Sequence, residues 1–320
     1  MRMPPLVIQT ENLPQECSDW LAERVDLHIC PSDSLRFKEL LPRAEGLVIR
    51  TYTTIDSEMI KEAPFLKVVG RAGVGTDNID VRCCNENNIR VVHTPSANSE
   101  AVVEFVLARM LAKLRPVPKI TSQVDIVEWK NRREESVNPR QFNESTLGII
   151  GFGRVGSRLG RAAQSLGFRV LYYDIKKITE EYGCTSVDMK TLLQESNIVS
   201  VHVDGRSENN NLINTGVLSK MNHDVLFINT SRGFVVNPTD LAAFLSQNTQ
   251  AFAILDVHNP EPFTANYPLF KIENASLYPH IAAKTKTAMD NMGWVVKDVE
   301  AVLRGEEPMY EAVTSFQPYI

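Results

Sequence analysis

Three polar side chains in the last third of the chain have the types needed for proton transfer beside a carboxylate. Arg232, Glu261 and His280 each follow a short apolar run. A guanidinium can hold a carboxylate in two parallel hydrogen bonds. An imidazole can take a proton at neutral pH, and a carboxylate can orient that imidazole. Together the three side chains supply what the oxidation of a hydroxy acid requires.

A glycine-rich turn near mid-chain predicts the partner for such an oxidation. Gly151-Phe-Gly-Arg-Val-Gly156 follows the apolar run Thr146–Ile150 and opens a segment with helical periodicity. Asp174 ends the next apolar run, at the distance expected of a dinucleotide fingerprint. The glycines allow a tight turn, approach to a pyrophosphate and close helix–strand contact. The helix N-terminus offers N–H groups to the phosphates, so we predict a dinucleotide site.

Short apolar runs alternate with helical patterns along the chain, which predicts an α/β fold with parallel sheets. Ligands of such sheets bind at the carboxyl ends of the strands. A long helix is expected over Ser99–Leu114, a connecting loop or arm over Val127–Glu144, and one final helix from Lys284 to Arg304. The expected strands are Leu6–Gln9, Leu27–Ile29, Gly46–Arg50, Lys67–Val69, Arg90–Val92, Thr146–Ile150, Arg169–Tyr173, Ile198–Val203, Val225–Asn229, Phe252–Asp256 and Ala275–Tyr278.

Composition narrows the class of protein. A chain of 320 residues with 43% hydrophobic and 23% charged residues is typical of a globular protein of two domains. The net charge of −5 argues against sequence-independent binding to nucleic acid. No stretch approaches a membrane span or a signal sequence, so a cytoplasmic protein is expected. The cysteines form no C-x-x-C pair and indicate reduced thiols rather than disulfides or a metal site: Cys17, Cys30, Cys83, Cys84 and Cys184.

Several separate motifs occur in one order along almost the whole chain. They are Val69–Asp80, Gly151–Gly156, Phe227–Gly233, Leu255–Val257 with Glu261-Pro262, and Pro279-His280. On these motifs the chain resembles the D-2-hydroxyacid dehydrogenase family, and most of all its D-3-phosphoglycerate dehydrogenase branch. The resemblance implies an NAD-dependent oxidoreductase that interconverts a D-2-hydroxy acid and its 2-oxo acid, such as 3-phosphoglycerate and 3-phosphohydroxypyruvate.

The resemblance also assigns roles to individual residues. Arg232 would bind the substrate carboxyl and keto oxygen, His280 would be the proton donor and acceptor, and Glu261 would pair with His280. The residues expected to bind NAD are Gly151, Gly153, Arg154, Val155, Gly156, Asp174, Thr230, Ser231, Asp256 and Val74. The residues expected to bind the substrate are Arg50, Thr51, Val74, Gly75 and Arg232.

The same resemblance implies two Rossmann-like, doubly wound parallel-sheet domains, with the cofactor domain inserted within the substrate domain. Residues 1–97 and 284–320 would form the substrate domain, and residues 98–283 the NAD-binding domain. Relatives dimerise mainly through their cofactor domains, and Ser99–Leu114 has more apolar positions than one helix face needs. A homodimer is therefore expected, with a small 2-hydroxy or 2-oxo acid as its other partner and no metal.

Two departures from the family pattern affect single positions. Asp204 stands where many relatives have proline, which affects the adenine side of the site. His258 stands where relatives usually have an aromatic residue. We interpret His258 as an aromatic substitute that packs beside its loop, and His280 as the reactive histidine.

The substrate and the class of protein leave alternatives open. The substrate could instead be glyoxylate, hydroxypyruvate or a bulkier 2-oxo acid, whereas Glu261 disfavours a formate dehydrogenase, since relatives of that type carry glutamine there. A phosphorylated substrate would need cations besides Arg232, for which Arg50, Arg132 and Arg133 are candidates. The same fold also serves as an NAD-sensing transcriptional corepressor, which can retain the three reactive side chains.

Overall fold

The computed structural model describes residues 4–117, 119–179 and 182–312. The chain forms two compact units, one made of the residues up to Ser99 together with those from Ala283 onward, the other of Glu100–Ala282. The second unit is thus inserted in the chain of the first. Each unit contains a parallel sheet, so the predicted α/β fold is confirmed.

The first unit has a parallel sheet of five strands in the order β2-β1-β3-β4-β5 among the described residues. β3 lies in the middle and is buried along its whole length, as expected of a strand covered on both faces. The strands are β1 Leu6–Gln9, β2 Asp26–Ile29, β3 Gly46–Ile49, β4 Val68–Arg71 and β5 Arg90–His93.

The second unit has a parallel sheet of seven strands in the order β12-β11-β10-β9-β6-β7-β8, counted over the described part of the chain. β6 pairs with β7 on one side and with β9 on the other, so the strand order reverses beside β6. Sheets of this kind bind ligands outside the carboxyl ends of the strands at that point. The strands are β6 Thr146–Ile150, β7 Arg169–Tyr173, β8 Thr185–Ser186, β9 Ile198–Val201, β10 Leu226–Asn229, β11 Phe252–Leu255 and β12 Ala275–Leu277.

Helices bury apolar side chains against both sheets. In the first unit, Val296 and Val299 belong to one core cluster with Val68 and Val92. None of the helices among the described residues has the length and hydropathy of a membrane span. The helices are α1 Gln15–Ala22, α2 Leu35–Leu40, α3 Ser57–Glu62, α4 Val81–Glu86, α5 Ser99–Leu114, α6 Ile126–Glu135, α7 Arg154–Ser165, α8 Met189–Glu195, α9 Thr215–Leu218, α10 Pro238–Gln247, α11 Lys286–Gly293 and α12 Val296–Arg304.

Two sequence predictions about helices were wrong. The single final helix is two helices, because α11 ends at Gly293, a residue that weakens helices and lies close to Cys17. The charged segment Val127–Glu144 is not only a connecting loop, since most of α6 falls within it. Asp125 caps α6 by accepting hydrogen bonds from two backbone amides, and Arg132 pairs with Glu128 one turn earlier.

Candidate active site

The glycine-rich turn leaves the carboxyl end of β6 beside the point where the strand order reverses. Gly151 has φ = +92° and donates its N–H to the carbonyl of Tyr173 at 2.8 Å. A Cβ at Gly151 would lie 2.7 Å from the carbonyl oxygen of His202, and one at Gly156 would lie 2.1 Å from the carbonyl oxygen of Gly151. Both positions therefore require glycine, as the sequence pattern indicates.

The middle glycine has a different environment, which fits a bound dinucleotide. A Cβ at Gly153 would meet no atom within 4 Å, so this backbone faces open space. Gly153 precedes α7, and the first turn of α7 has no acidic side chain. Such a helix start suits a phosphate group. Asp174 lies beside this turn and accepts hydrogen bonds from the amides of Phe152 at 2.7 Å and Lys176 at 2.8 Å.

Glu261 and His280 form a hydrogen-bonded pair beyond β11 and β12. The distance from Nδ1 of His280 to Oε2 of Glu261 is 2.8 Å, and Oε1 of Glu261 accepts the amide of His258 at 2.6 Å. Burial acts to raise the pKa of Glu261, but the hydrogen bond and charge of His280 outweigh it and leave that pKa lowered. Because the carboxylate accepts, Nδ1 of His280 donates, which leaves Nε2 as the nitrogen for proton exchange.

The backbone holds His280 in an unusual conformation. Its φ is +55°, in the left-handed region that side chains other than glycine rarely adopt. Its amide donates to the carbonyl of Asp256 at 2.9 Å. The buried Asp256 carboxylate accepts the next two amides, those of Ile281 at 2.8 Å and Ala282 at 2.7 Å. Burial raises the pKa of Asp256, against the lowering effect of these amides. Asp256 thus fixes the turn that presents the imidazole.

His258 has contacts that explain a packing role. Its side chain is buried, with Nε2 2.8 Å from the carbonyl oxygen of Tyr278 and Nδ1 3.3 Å from the hydroxyl of Tyr267. Its ring centroid lies 4.3 Å from that of Phe263. Burial lowers the pKa of His258, so the neutral imidazole is favoured. These contacts engage both ring nitrogens within the loop.

The loop that carries Arg232 packs tightly against the His258 loop. Asn229 organises it by accepting hydrogen bonds from the amide and hydroxyl of Ser231 and by donating to the carbonyl of Arg232. A Cβ at Gly233 would lie 1.8 Å from the carbonyl oxygen of His258, so only glycine fits there. Sequence reasoning missed Asn229, although an asparagine at a strand end is a signal for such a turn.

Strand order brings the three predicted catalytic side chains to one edge. Arg232 follows β10, Glu261 follows β11 and His280 follows β12, and these strands are neighbours in the sheet. Beside Arg232, Oγ1 of Thr230 is buried and lacks a hydrogen-bond partner within the described residues. Thr230 was predicted to line the nicotinamide side, and an orphaned hydroxyl suits a polar ligand there. The orphaned hydroxyl and the open space at Gly153 both fit a dinucleotide.

The predicted substrate residues of the first unit lie at the carboxyl ends of β3 and β4. Arg50 donates to the carbonyl of Asn12 at 3.1 Å, and Thr51 is exposed beside it. The carbonyl of Val74 is 2.8 Å from Nδ1 of His93, which places the Val74-Gly75 backbone. These four residues therefore share one sheet edge.

Comparison with known sequences decides the family. The model of the NAD binding domain of the D-isomer specific 2-hydroxyacid dehydrogenases matches residues 107–282, more than half of the chain. The chain belongs to the D-isomer specific 2-hydroxyacid dehydrogenase family. This is a family of NAD-dependent oxidoreductases, and the seven-stranded sheet with its glycine-rich turn lies within the matched NAD binding domain.

The relatives of this chain are named after different substrates. It is 35% identical to a glyoxylate reductase of Thermococcus litoralis, over 84% of each chain. It is 33% identical to a D-3-phosphoglycerate dehydrogenase of Archaeoglobus fulgidus, over 93% of this chain and only 57% of that longer protein. A D-lactate dehydrogenase of Aquifex aeolicus, solved with NAD and lactic acid, superposes with a TM-score of 0.81 at 27% identity over 94% and 96% of the two chains.

Proposed function

We propose that the protein is an NAD-dependent oxidoreductase that interconverts a D-2-hydroxy acid and its 2-oxo acid. The observation that carries the proposal is the Glu261–His280 pair, whose Nδ1–Oε2 distance is 2.8 Å, on the strand edge that also presents Arg232. A paired imidazole beside a guanidinium, on an NAD-binding sheet, supplies the groups that this reaction needs.

The proposed mechanism divides the reaction among these side chains. Arg232 holds the substrate carboxylate in two parallel hydrogen bonds and so orients the carbon that bears the hydroxyl. Nε2 of His280 takes the hydroxyl proton during oxidation and returns it during reduction. Glu261 orients the imidazole through Nδ1 and favours its protonated form. NAD, when bound, would accept the hydride that leaves the substrate carbon during oxidation.

The residues that we propose to bind NAD also lie at the carboxyl ends of the strands of this sheet. We propose that Asp174 accepts hydrogen bonds from the adenosine ribose and that the start of α7 holds the pyrophosphate. Thr230 and Ser231 would line the nicotinamide side. Both carboxylate oxygens of Asp256 already accept backbone amides, so its principal role is to hold the His280 turn, with a nicotinamide contact as an additional role.

For the substrate we propose 3-phosphoglycerate and 3-phosphohydroxypyruvate, with glyoxylate or hydroxypyruvate as the alternative. The cation Arg50, at the edge of the first unit, supports a substrate with a second negative group. The experiment is a turnover panel with NAD or NADH and purified protein, comparing phosphorylated and plain 2-hydroxy and 2-oxo acids. A kcat/KM at least about tenfold higher for the phosphorylated pair, worth about 1.4 kcal/mol, supports the first assignment. Equal or lower values support the alternative, and no turnover of any acid refutes the dehydrogenase.

We further propose that the enzyme is a cytoplasmic homodimer. The long helix α5 supports this less than its sequence suggests, because Val102, Val103, Val106 and Met110 are buried within the chain itself. The helix α6 supports it better, since none of its residues is buried. Apolar side chains exposed on and around α6 are those of Val117, Ile120, Ile126, Val127, Trp129 and Val137. Val117, Ile120 and Trp129 line one cavity beside this helix, and exposed apolar side chains that cluster in this way are typical of an interface between proteins.

A further inference from the structure

One carboxylate in the first unit holds the backbone of four consecutive residues. Glu11 lies two residues beyond β1, and its side chain accepts the amides of residues 50–53 after β3. Oε1 accepts from Arg50 at 3.0 Å, from Tyr52 at 3.1 Å and from Thr53 at 3.2 Å. Oε2 accepts from Thr51 at 3.0 Å. Successive amides directed at one point form an anion-binding concavity, which here is filled by the protein's own carboxylate.

The carbonyl side of the same loop is held as well. Nδ2 of Asn78 donates to the carbonyls of Arg50 at 3.1 Å and Thr53 at 2.6 Å. Thr51 and Tyr52, which lie between Arg50 and Thr53, are exposed, so packing contributes little to fixing their backbone. A loop whose central residues have little packing loses conformational entropy when it is ordered, which hydrogen bonds at both faces help to offset. The direction in which Arg50 and Thr51 are presented therefore depends on Glu11 and Asn78.

The charge of Glu11 also matters, because two cations of the first unit lie near it. Burial lowers the pKa of Arg50, and the charge of Glu11 opposes that lowering. Burial and the charge of Arg50 lower the pKa of Lys284, and Glu11 again opposes the change. The guanidinium of Arg50 also reaches Sδ of Met289 at 3.4 Å, in the helix that starts just after Lys284. Together, Glu11, Arg50 and Lys284 carry one net positive charge, whereas Arg50 and Lys284 alone would carry two.

We propose that Glu11 is a positioning residue for the substrate. Its carboxylate fixes the backbone that carries Arg50 and Thr51, and its charge moderates the attraction of the Arg50–Lys284 pair for substrates with a second negative group. The proposal rests on the proposed function, since Arg50 and Thr51 are its predicted substrate contacts. Glu11 lies outside the motifs that identify the family in this sequence, and it is 39 positions away from Arg50, the first residue of the loop that it holds.

Two substitutions separate the hydrogen bonds from the charge. In Glu11→Gln, an oxygen in the place of Oε1 keeps the acceptor for three of the four amides while the negative charge is lost. In Glu11→Ala, every acceptor is lost as well. Glu16→Gln, an exposed carboxylate of the same unit, is the matched control.

The experiment measures kcat and KM for 2-oxo acids with one and with two negative groups, KM for NADH, and the melting temperature. Glu11→Ala should raise KM for singly charged 2-oxo acids about tenfold, the effect of about 1.4 kcal/mol of binding, and for doubly charged acids less, because the charge is lost as well, while KM for NADH stays within twofold. Glu11→Gln should raise KM for singly charged acids no more than about threefold and favour doubly charged acids at least about threefold relative to wild type. Glu16→Gln should match wild type.

Other outcomes overturn the proposal. An unchanged KM for singly charged 2-oxo acids in Glu11→Ala contradicts positioning, and so does an equal loss of NADH binding and stability, which indicates general unfolding. An unchanged preference in Glu11→Gln contradicts the charge effect. If wild type turns over no 2-oxo acid, the proposed function fails on its own. Amide hydrogen exchange of residues 50–53 then still decides the positioning, which requires faster exchange in Glu11→Ala than in wild type.

Discussion

Glu261→Gln tests the proposed role of the Glu261–His280 pair with the smallest change in shape. The wild-type carboxylate accepts the amide of His258 through one oxygen and Nδ1 of His280 through the other. A glutamine has one oxygen, and if that oxygen keeps the buried amide, the NH₂ group faces His280. Nδ1 must then accept a hydrogen bond, so the neutral imidazole carries its proton on Nε2. That nitrogen cannot take a proton from a hydroxyl, and oxidation should suffer.

The size of the loss follows from the contact. A hydrogen bond to a charged group contributes about 1.5–3 kcal/mol. The side chains of His280 and Glu261 are 42% and 29% exposed, so solvent screening favours the lower end of that range. Since about 1.4 kcal/mol is tenfold in rate, we expect at least about a tenfold fall in kcat for oxidation. The wrong tautomer lowers it further.

The assay compares kcat for oxidation and the Kd of NAD in wild type, Glu261→Gln and the control Glu273→Gln, an exposed glutamate of the same unit. A kcat within twofold of wild type in Glu261→Gln would refute the reasoning. The stability of the variant adds a pH test. Because the folded pKa of Glu261 is lowered, its ionised form stabilises the protein above the ordinary carboxyl range. That contribution, and so the difference from Glu261→Gln, should shrink as the pH falls through the folded pKa.

Three further substitutions test separate parts of the account. Arg232→Lys should raise KM for the 2-oxo acid more than tenfold, about 1.4 kcal/mol or more, because an ammonium lacks the two-pronged contact. The Kd of NAD should stay unchanged; steady-state kinetics measure the KM and calorimetry measures the Kd. Asp174→Asn should lower the ratio of kcat/KM with NAD to that with NADP, and an unchanged ratio would contradict its ribose role. Gly153→Ala should weaken NAD binding without lowering the melting temperature, since its Cβ meets only open space; intact binding would place the phosphates elsewhere.

Much of the fold was predictable because its strands are continuous apolar runs. β1, β6 and β7 begin and end where the sequence predicts, and the other expected strands shift by one or two residues at their ends. Parallel topology then made the edge of the sheet predictable as well. Arg232, Glu261 and His280 could be placed at one edge because each follows a strand, and their strands proved to be neighbours.

Other features depend on contacts that sequence spacing does not encode. Glu11 is an ordinary glutamate in the sequence, and only the parallel pairing of β1 with β3 brings it to the amides of residues 50–53. The break between α11 and α12 falls at Gly293, where a Cβ would lie 2.8 Å from Sγ of Cys17, a contact between residues far apart in the sequence. The helix α6 lacks a buried face, so its periodicity is weak and its cap at Asp125 is the main local signal.

The most direct test of the account compares the two histidines that lie near Glu261. His280→Ala should lower kcat for 2-hydroxy acid oxidation by about 10²–10⁴-fold, the usual contribution of a positioned base, with the Kd of NAD within twofold of wild type. His258→Phe keeps an aromatic ring among its aromatic neighbours and should leave kcat within about threefold, although the melting temperature falls because the carbonyl of Tyr278 loses its donor. The reverse pattern, in which His258→Phe abolishes turnover and His280→Ala does not, would contradict the proposed mechanism.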